Sequence, residues 1–247
     1  MEKNTIETFI KKYHLNGLIE GVQLDIKNST INLKARTADK TFMVALLQKK
    51  TDMPDASVGI MDSPQLLKQL GSLDTNISLT YATHVGDANY VMGLVMDDGK
   101  LEQTHVCALI ANLPDQPNLK SVPTTFDVEI SLTDDFISTF LKAKNSLGAK
   151  LFTLVMNKKK QKLEMVLGYQ EKNAASKSSL QLPTLNDKDT VTEPISFSAD
   201  HLKEILAANS EVKDAVLKIS EQGLACVEFD SPEFQSKYYM VKVAVED

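Results

Sequence analysis

The stretch Phe126-Asp-Val-Glu-Ile-Ser131 alternates apolar and polar residues and leads directly into an amphipathic segment, Thr133–Leu147. Strict alternation predicts a strand with one buried face, and apolar residues three and four apart predict a helix. The same order of strand and helix occurs twice more, at Val58–Met61 with Ser63–Leu73 and at Ile195–Ser198 with Ala199–Asn209. The chain is therefore built from a repeated unit.

The predicted helix starts at Ser63, Thr133 and Ala199 recur at intervals of about 70 residues, and three extended segments follow each helix. A further amphipathic helix, Glu2–Tyr13, opens the chain without a strand before it. The pattern predicts an α+β fold of four helices and about fifteen strands. It forms two similar halves, each of two β-α-β-β-β units with two helices packed on antiparallel sheet.

The middle of the chain differs from both halves, because Asn112–Thr125 contains Pro114, Pro117 and Pro123 and has little periodicity. Proline lacks the N–H that a central strand needs, so this stretch is interpreted as a connecting loop. The expected domains are an N-terminal domain at 1–112, a connecting loop at 113–125 and a C-terminal domain at 126–247.

Composition narrows the class of protein. The chain has 247 residues, a formal net charge of −6 and no Trp, which argues against coating of nucleic acid by the whole surface and against stacking on bases. Cys107 and Cys226 lie in apolar strand patterns and are interpreted as buried thiols. The first residues lack the apolar core of a signal peptide and no apolar run could span a bilayer, so a cytoplasmic location without membrane contact is expected.

A catalytic motif is not recognisable in the sequence. His14, His84, His105 and His201 lack metal-ligand spacing, and no phosphate-binding glycine loop, nucleophile motif or dinucleotide motif occurs. His105 and Cys107 share one face of a predicted strand, where they could pack in the core or act as a ligand pair. No metal or cofactor site is recognisable and nothing promotes an enzyme, although a hydrolase that uses paired carboxylates stays open at this point.

Lysines recur on the predicted helices. Each one alone could be an ordinary solvated side chain. Together they could form a basic surface that binds phosphates without reading bases. The candidates for this DNA-facing set are Lys11, Lys12, Lys68, Lys142, Lys144 and Lys203.

Several stretches resemble the DNA polymerase sliding clamps, specifically the two-domain clamps of T-even-type bacteriophages and of proliferating cell nuclear antigen. Ile31-Asn-Leu-Lys-Ala-Arg-Thr-Ala-Asp-Lys-Thr-Phe-Met-Val44 is similar to the strand–turn–strand after their first helix. Asp127–Leu141 and Lys237–Val243 also resemble clamp segments, and Asn112–Thr125 lies where these proteins have their interdomain connecting loop. The resemblance covers the whole chain in topology.

The resemblance implies a homotrimeric ring that encircles double-stranded DNA independently of sequence and performs no catalysis. DNA polymerase and other replication proteins would dock on it, a separate clamp loader would open it, and a viral origin would place it in the host cytoplasm. A ring is also physically reasonable. When head-to-tail contacts between subunits close into a ring, every sheet edge at those contacts is paired.

The resemblance also implies two further sites. The partner-peptide pocket maps to Arg36, Lys40, Met43, Leu113, Leu119, Val122, Val243 and Val245. The subunit interface maps to the strands Thr104–Asn112 and Ser176–Leu182, with Val106, Ala108, Ile110, Ser178, Leu180 and Leu182 as contact residues.

Two other functions are consistent with the sequence. The first is a two-domain protein-interaction scaffold that does not bind DNA, in which joint substitution of Lys12, Lys68, Lys142 and Lys203 would leave partner binding intact. The second is an enzyme, which would have a deep pocket holding a titratable group with a displaced pKa.

Overall fold

A computed structural model describes residues 2–84, 87–123, 125–157, 162–170, 176–187, 191, 193–213 and 215–244. The chain divides into two compact units. Unit 1 comprises Met1–Asn118 and Ser231–Ser236, and unit 2 comprises Leu119–Asp230 and Lys237–Asp247. Among the described residues, none of the helices is both long and apolar enough to cross a membrane.

Unit 1 contains two helices and two antiparallel sheets. One sheet has the strand order β3-β2-β1-β4 and the other has the order β5-β6-β7. Helix α1 packs on β3, and α2 packs on β7. The elements are α1 Lys3–His14, β1 Val22–Lys27, β2 Thr30–Arg36, β3 Phe42–Gln48, β4 Ala56–Ile60, α2 Ser63–Gly71, β5 Ser78–His84, β6 Asp87–Asp97 and β7 Glu102–Val106.

Unit 2 also contains two helices and two antiparallel sheets. Its sheets have the strand orders β12-β8-β14-β15-β16 and β11-β10-β9-β13. Helix α3 packs on β10 and β11, and α4 packs on β9. The elements are β8 Val128–Ser131, α3 Asp134–Leu147, β9 Leu151–Asn157, β10 Lys162–Leu167, β11 Ser178–Gln181, β12 Thr184–Asp187, β13 Ile195–Ser198, α4 Ala199–Ala208, β14 Ala215–Ser220, β15 Leu224–Asp230 and β16 Phe234–Val241.

The strand before each helix joins the sheet of the neighbouring repeat. Strand β4 pairs with β1, β8 pairs with β14, and β13 pairs with β9, all antiparallel. The first repeat lacks this strand, as predicted, but Glu2 still forms a bridge with Asn76 and the Lys3 N–H donates to the Thr75 carbonyl at 2.9 Å. One backbone pairing of the missing strand is therefore kept, between the residue before α1 and a residue just before β5.

Three helix starts are fixed by the same kind of cap. The side chains of Asp62, Thr133 and Ser198 accept from backbone N–H groups three residues later, at 2.8, 3.3 and 3.1 Å. Such caps satisfy N–H groups that have no partner within the helix. Because the cap residues are visible in the sequence, the predicted starts of the helices lie within one residue of the observed ones.

Apolar side chains from helices and sheets fill the core of each unit. In unit 1, Phe9, Tyr13 and Phe42 are fully buried, and in unit 2 a ring cluster of Phe140, Phe152 and Phe197 is fully buried. Cys107 and Cys226 are buried free thiols, which confirms their predicted role. Burial raises the pKa of Cys107 to about 11 and of Cys226 to about 12.

Two stretches differ from the sequence-based expectation. The polar sequence of Leu185–Glu193 predicts a loop, but Thr184–Asp187 pairs with β8 as an edge strand. The strand expected at Thr104–Asn112 ends at Val106, and Ile110–Asn112 forms a 3₁₀ turn. Both differences arise from hydrogen-bond pairing of the backbone, which cannot be read from the polarity of the side chains.

Candidate functional site

The structure separates the six predicted DNA-facing lysines into three groups. Lys11, Lys68 and Lys142 are exposed on α1, α2 and α3. Lys203 is half-exposed on α4, with its ammonium 3.3 Å from a Glu204 carboxylate oxygen. Lys12 and Lys144 are buried.

The prediction for Lys12 is wrong. Its side chain has an exposed fraction of 0%, and its Nζ lies 5.3 Å from the centroid of the Phe234 ring. Lys12 follows Phe9 by three residues, which brings both side chains to neighbouring positions of the buried side of α1. Its ammonium thus contributes a cation–π contact inside unit 1, and cannot reach DNA phosphates.

The prediction for Lys144 is also wrong. Its ammonium lies 2.7 Å from an Asp200 carboxylate oxygen, and its side chain is 10% exposed. Residue 144 lies four positions after Phe140, so it shares the face of α3 that packs toward α4. The lysine links the two helices of unit 2.

A groove of about 740 Å³ in unit 1 contains three of the predicted pocket residues, Arg36, Lys40 and Leu113. Apolar side chains and four charged residues share its walls, and this mixture fits a short amphipathic segment better than a small polar substrate. The lining residues are Gly17, Leu18, Glu20, Gly21, Arg36, Thr37, Ala38, Lys40, Met61, Asn112, Leu113, Pro114 and Asp115.

The turn between β2 and β3 places Lys40 at the rim of this groove. Lys40 has a φ of 61°, and its N–H donates to the Thr37 carbonyl at 3.0 Å. The Asp39 carboxylate accepts from the Thr41 N–H at 3.1 Å and closes the turn. A lysine in the left-handed region is uncommon, and the turn fixes the backbone from which its exposed side chain extends.

The other predicted pocket residues do not line this groove. Met43 is half-buried on β3 opposite Arg36, and Leu119 and Val122 are half-buried in unit 2. Val243 is 38% exposed, and its N–H donates to the Ser196 carbonyl at 2.8 Å. Val245 lies outside the described residues.

Close backbone contacts hold the groove together. A Cβ at Gly21 would lie 3.1 Å from Met61 Sδ and 3.2 Å from Pro114 Cδ. Gly59 accepts a hydrogen bond from the Ala108 N–H at 2.9 Å, and a Cβ there would overlap the Ala108 carbonyl. A glycine within a predicted strand marks such an approach, so Gly59 is the sequence signal that could have located this site.

We expect Gly59→Ala to lower the free energy of unfolding by about 1–3 kcal/mol, because the new methyl group meets a backbone carbonyl that cannot rotate away. Chemical denaturation followed by circular dichroism measures the change. Gly71→Ala is the matched control, since nothing lies within 4 Å of a Cβ there and alanine favours the helix. Equal stability of the Gly59 variant and wild type would contradict the tight Gly59–Ala108 approach.

Strand β7 is one free sheet edge and forms part of the predicted subunit interface. Cys107 N–H donates to the Met92 carbonyl at 2.8 Å, which places the N–H and C=O of Val106 on the side away from β6. Val106 is 80% exposed, and Leu109 and Ile110 nearby are 45% and 38% exposed. An unpaired edge beside apolar side chains is typical of a surface that another chain covers.

Two residues predicted at this edge have other positions. Ala108 forms an antiparallel bridge with Gly59 of β4, so its backbone already has a partner within the same unit. Ile110 lies in the 3₁₀ turn after the strand. Neither belongs to the edge strand Glu102–Val106, in which the Thr104 carbonyl already accepts from Gln69 Nε2.

Strand β11 is the second free edge. Ser178 is half-exposed, and Leu182 is half-buried beyond the strand. Leu180 is only 6% exposed, and together with Phe136 it lines a groove of about 450 Å³ between α3 and the strand. Leu180 therefore faces α3 in the single chain, and its contact with another subunit stays a prediction.

His105 connects the β7 edge to α2. Its Nδ1 lies 2.9 Å from Gln69 Oε1, and Gln69 Nε2 donates to the Thr104 carbonyl at 3.0 Å. The Nε2 of His105 is buried and has no hydrogen-bond partner within the described part of the chain. Burial lowers the pKa of His105, although the Asp62 carboxylate opposes this. His105 and Cys107 pack in the core of unit 1, and the described residues contain no group of three or more metal-ligating side chains.

We expect His105 to make the folded state less stable in acid. Its folded-state pKa lies below that of the unfolded chain, so its effect is absent above about pH 6.5 and grows as pH falls below that value. His105→Gln should flatten the pH dependence of the unfolding midpoint between about pH 5 and 7. His84→Gln, at an exposed position, is the control and should leave the profile as in wild type.

No protein-family model matches the chain, and no curated protein matches its sequence. The fold is similar to the crystal structure of proliferating cellular nuclear antigen from Entamoeba histolytica, with a TM-score of 0.71, 17% identity, and coverage of 98% of this chain and 96% of that chain. The PCNA2–PCNA3 complex from Sulfolobus tokodaii is also similar, with a TM-score of 0.67, 12% identity, and coverage of 98% and 97%.

These likenesses confirm the predicted α+β clamp fold of four helices and antiparallel sheets. At such low identity they show the fold alone.

Proposed function

We propose that this protein is a sliding clamp, which encircles duplex DNA and keeps a DNA polymerase on its template. The observation that supports this most is the similarity of fold to proliferating cellular nuclear antigen over nearly the full length of both chains. A ring needs no catalytic group, cofactor or metal to act in this way. Its work is topological, since a closed ring leaves DNA only by opening or at a free end.

The assembly we propose is a head-to-tail homotrimer. Strand β7 of one subunit would pair with β11 of the next, since each lies at the end of its sheet. Such a contact between different surfaces closes into a ring when its rotation divides a full turn. Val106 and Leu109 supply exposed apolar area at one side of this contact.

The DNA contacts we propose come from the exposed helix lysines, Lys11, Lys68 and Lys142. Lysine pairs with phosphates as a point charge and does not read bases. Binding would therefore be independent of sequence and sensitive to salt, and sliding would meet little resistance. The chain's net charge of −6 would discourage DNA from adhering to the rest of the surface.

The groove around Arg36, Lys40 and Leu113 is our proposed docking site for polymerase and other replication proteins. Its mixed apolar and charged lining fits a short peptide with an apolar anchor. A separate clamp loader would open the ring. A bacteriophage origin remains a prediction from the resemblance of local sequence stretches.

The alternative is an interaction scaffold that does not bind DNA. One observation favours it, because the four helices contain seven lysines and five acidic residues, a weak excess of positive charge for a DNA-binding surface. Lys12 no longer belongs in the variant that separates these functions, since its loss would disturb the core. Lys11 takes its place, and the variant that tests DNA binding therefore lacks Lys11, Lys68, Lys142 and Lys203.

The experiment traps the protein on linear duplex DNA. Protein is allowed to thread onto DNA with free ends, the ends are then blocked with biotin and streptavidin, and retention is measured in high salt before and after a restriction cut. A sliding clamp remains bound until the cut and is then released. A scaffold shows no retention in either state, and a protein that binds DNA by charge alone dissociates in high salt without a cut.

A further inference from the structure

The positive charge of the helices is distributed unequally between the two units. The helices of unit 1 contain four lysines and one acidic residue, whereas the helices of unit 2 contain three lysines and four acidic residues. The two sets are Lys3, Lys11, Lys12, Lys68 and Glu7 on α1 and α2, and Lys142, Lys144, Lys203, Asp134, Asp135, Asp200 and Glu204 on α3 and α4.

Ion pairs increase this difference. Lys144 is buried against Asp200, and Lys203 lies 3.3 Å from Glu204. Two carboxylates, Asp134 and Asp135, are exposed in the first turn of α3, where they complement the positive end of the helix. Within α3 and α4, whose residues are all described, Lys142 is the one exposed lysine outside an ion pair.

Unit 1 presents its lysines more freely. The Lys11 side chain is 59% exposed, and its ammonium is 3.7 Å from Glu7, a separation at which an exposed pair is weak. Lys68 is exposed on α2, and Gln65, which is exposed three residues before it on the same helix, is neutral. A phosphate that approaches α1 and α2 therefore meets Lys68, which has no carboxylate partner among the described residues, and Lys11, which has only the weak pair with the part-buried Glu7. One exposed carboxylate, Asp62, lies at the start of α2.

We propose that α1 and α2 of each subunit make the main phosphate contacts, through Lys11 and Lys68, and that α3 and α4 contribute little net attraction. This inference rests on the proposed clamp function and assigns its DNA contacts to one unit of the subunit. A phosphate contact requires a cation whose charge is not already compensated, and the helices of unit 2 compensate most of theirs. The carboxylates in the first turns of α3 and α4 would repel phosphates. This repulsion would also keep the ring from binding tightly at any one position on DNA.

Two double variants with matched charge test the inference. Lys11→Ala/Lys68→Ala and Lys142→Ala/Lys203→Ala each remove two lysines from helix surfaces. Equilibrium binding to a short duplex of random sequence is measured by fluorescence anisotropy between low and moderate salt. We expect the unit 1 variant to bind about tenfold or more weakly at low salt, with a shallower dependence of binding on salt. The unit 2 variant removes one proposed contact, Lys142, and should weaken binding by a smaller factor, about threefold.

A third variant, Asp134→Asn/Asp135→Asn, should strengthen binding to the same duplex, because it removes the exposed carboxylates of unit 2. Equal losses in the two lysine variants, or a larger loss in the unit 2 variant, would overturn the assignment while leaving the clamp function in place. If wild type neither binds the duplex nor is retained on end-blocked DNA, the clamp function fails and the assignment fails with it. Circular dichroism and solution mass of each variant show that fold and assembly are unchanged.

Discussion

Val106→Asp is expected to convert the proposed trimer, three times the 27.3 kDa chain, into a folded monomer. Val106 is 80% exposed in the single chain, so an aspartate there remains hydrated and folding changes by less than about 1 kcal/mol. In the proposed ring the same position is covered by the next subunit. Burying a carboxylate without a partner costs several kcal/mol at each of the three interfaces.

Light scattering across a concentration series measures this effect, and retention on end-blocked DNA should be lost together with the trimer. Val241→Asp is the control, because Val241 is an exposed apolar residue of β16, 39% exposed, and β16 belongs to a different sheet from β7 and from β11. A wild-type trimer that persists in the Val106 variant would show that β7 is not the assembly edge. A wild-type protein that is monomeric at every concentration would contradict the ring itself.

The fold could be predicted to a large extent because its determinants are local. Asp62, Thr133 and Ser198 each cap a helix through their own side chains, and each cap precedes an apolar stripe with helical spacing. Strand alternation, as in β1, where buried positions recur every second residue, reports burial of one face. The repeat was visible because both kinds of signal return at nearly constant spacing.

The candidate site was harder to predict because it depends on which face of a helix meets which neighbour. Lys12 and Lys144 have the sequence character of solvated lysines, yet one lies against Phe234 and the other against Asp200, which is distant in sequence. Long side chains can bury their stems wherever a partner receives the ammonium, and composition does not report that partner. The identification of Lys11, Lys68 and Lys142 as exposed lysines needed only local periodicity.

The sheet edges show the same limit. Alternation placed Leu180 and Ala108 in strands or near them, but it does not say whether a strand is an edge or which side another strand occupies. Ala108 is paired with Gly59, and Leu180 faces the core beneath α3. Val106 is therefore a better probe of assembly than either residue, since its substitution does not disturb a contact within the chain.

The second large effect is expected for Phe152→Ala, which should lower the free energy of unfolding of unit 2 by about 3–5 kcal/mol. Phe152 is fully buried, and its ring lies 6.2 Å from Phe140, edge to face, and 5.6 Å from Phe197, measured between ring centroids. The substitution removes a large apolar side chain and leaves a cavity between α3 and the sheet. Total stabilities of domains are about 5–15 kcal/mol, so the loss is a large fraction.

Assembly should weaken in this variant as well, because Phe152 pairs with Leu167 of β10, and Leu167 pairs with Ser178 of the edge strand β11. Urea unfolding followed by far-UV circular dichroism measures stability, since the chain has no Trp to report by fluorescence. Phe152→Leu is the control and should cost about 1–2 kcal/mol, because it keeps most of the buried apolar volume. If Phe152→Ala lowered the free energy of unfolding no more than Phe152→Leu, the aromatic cluster would not be what holds α3 to the sheet. The position of β11 would then depend on its pairing with β10 alone.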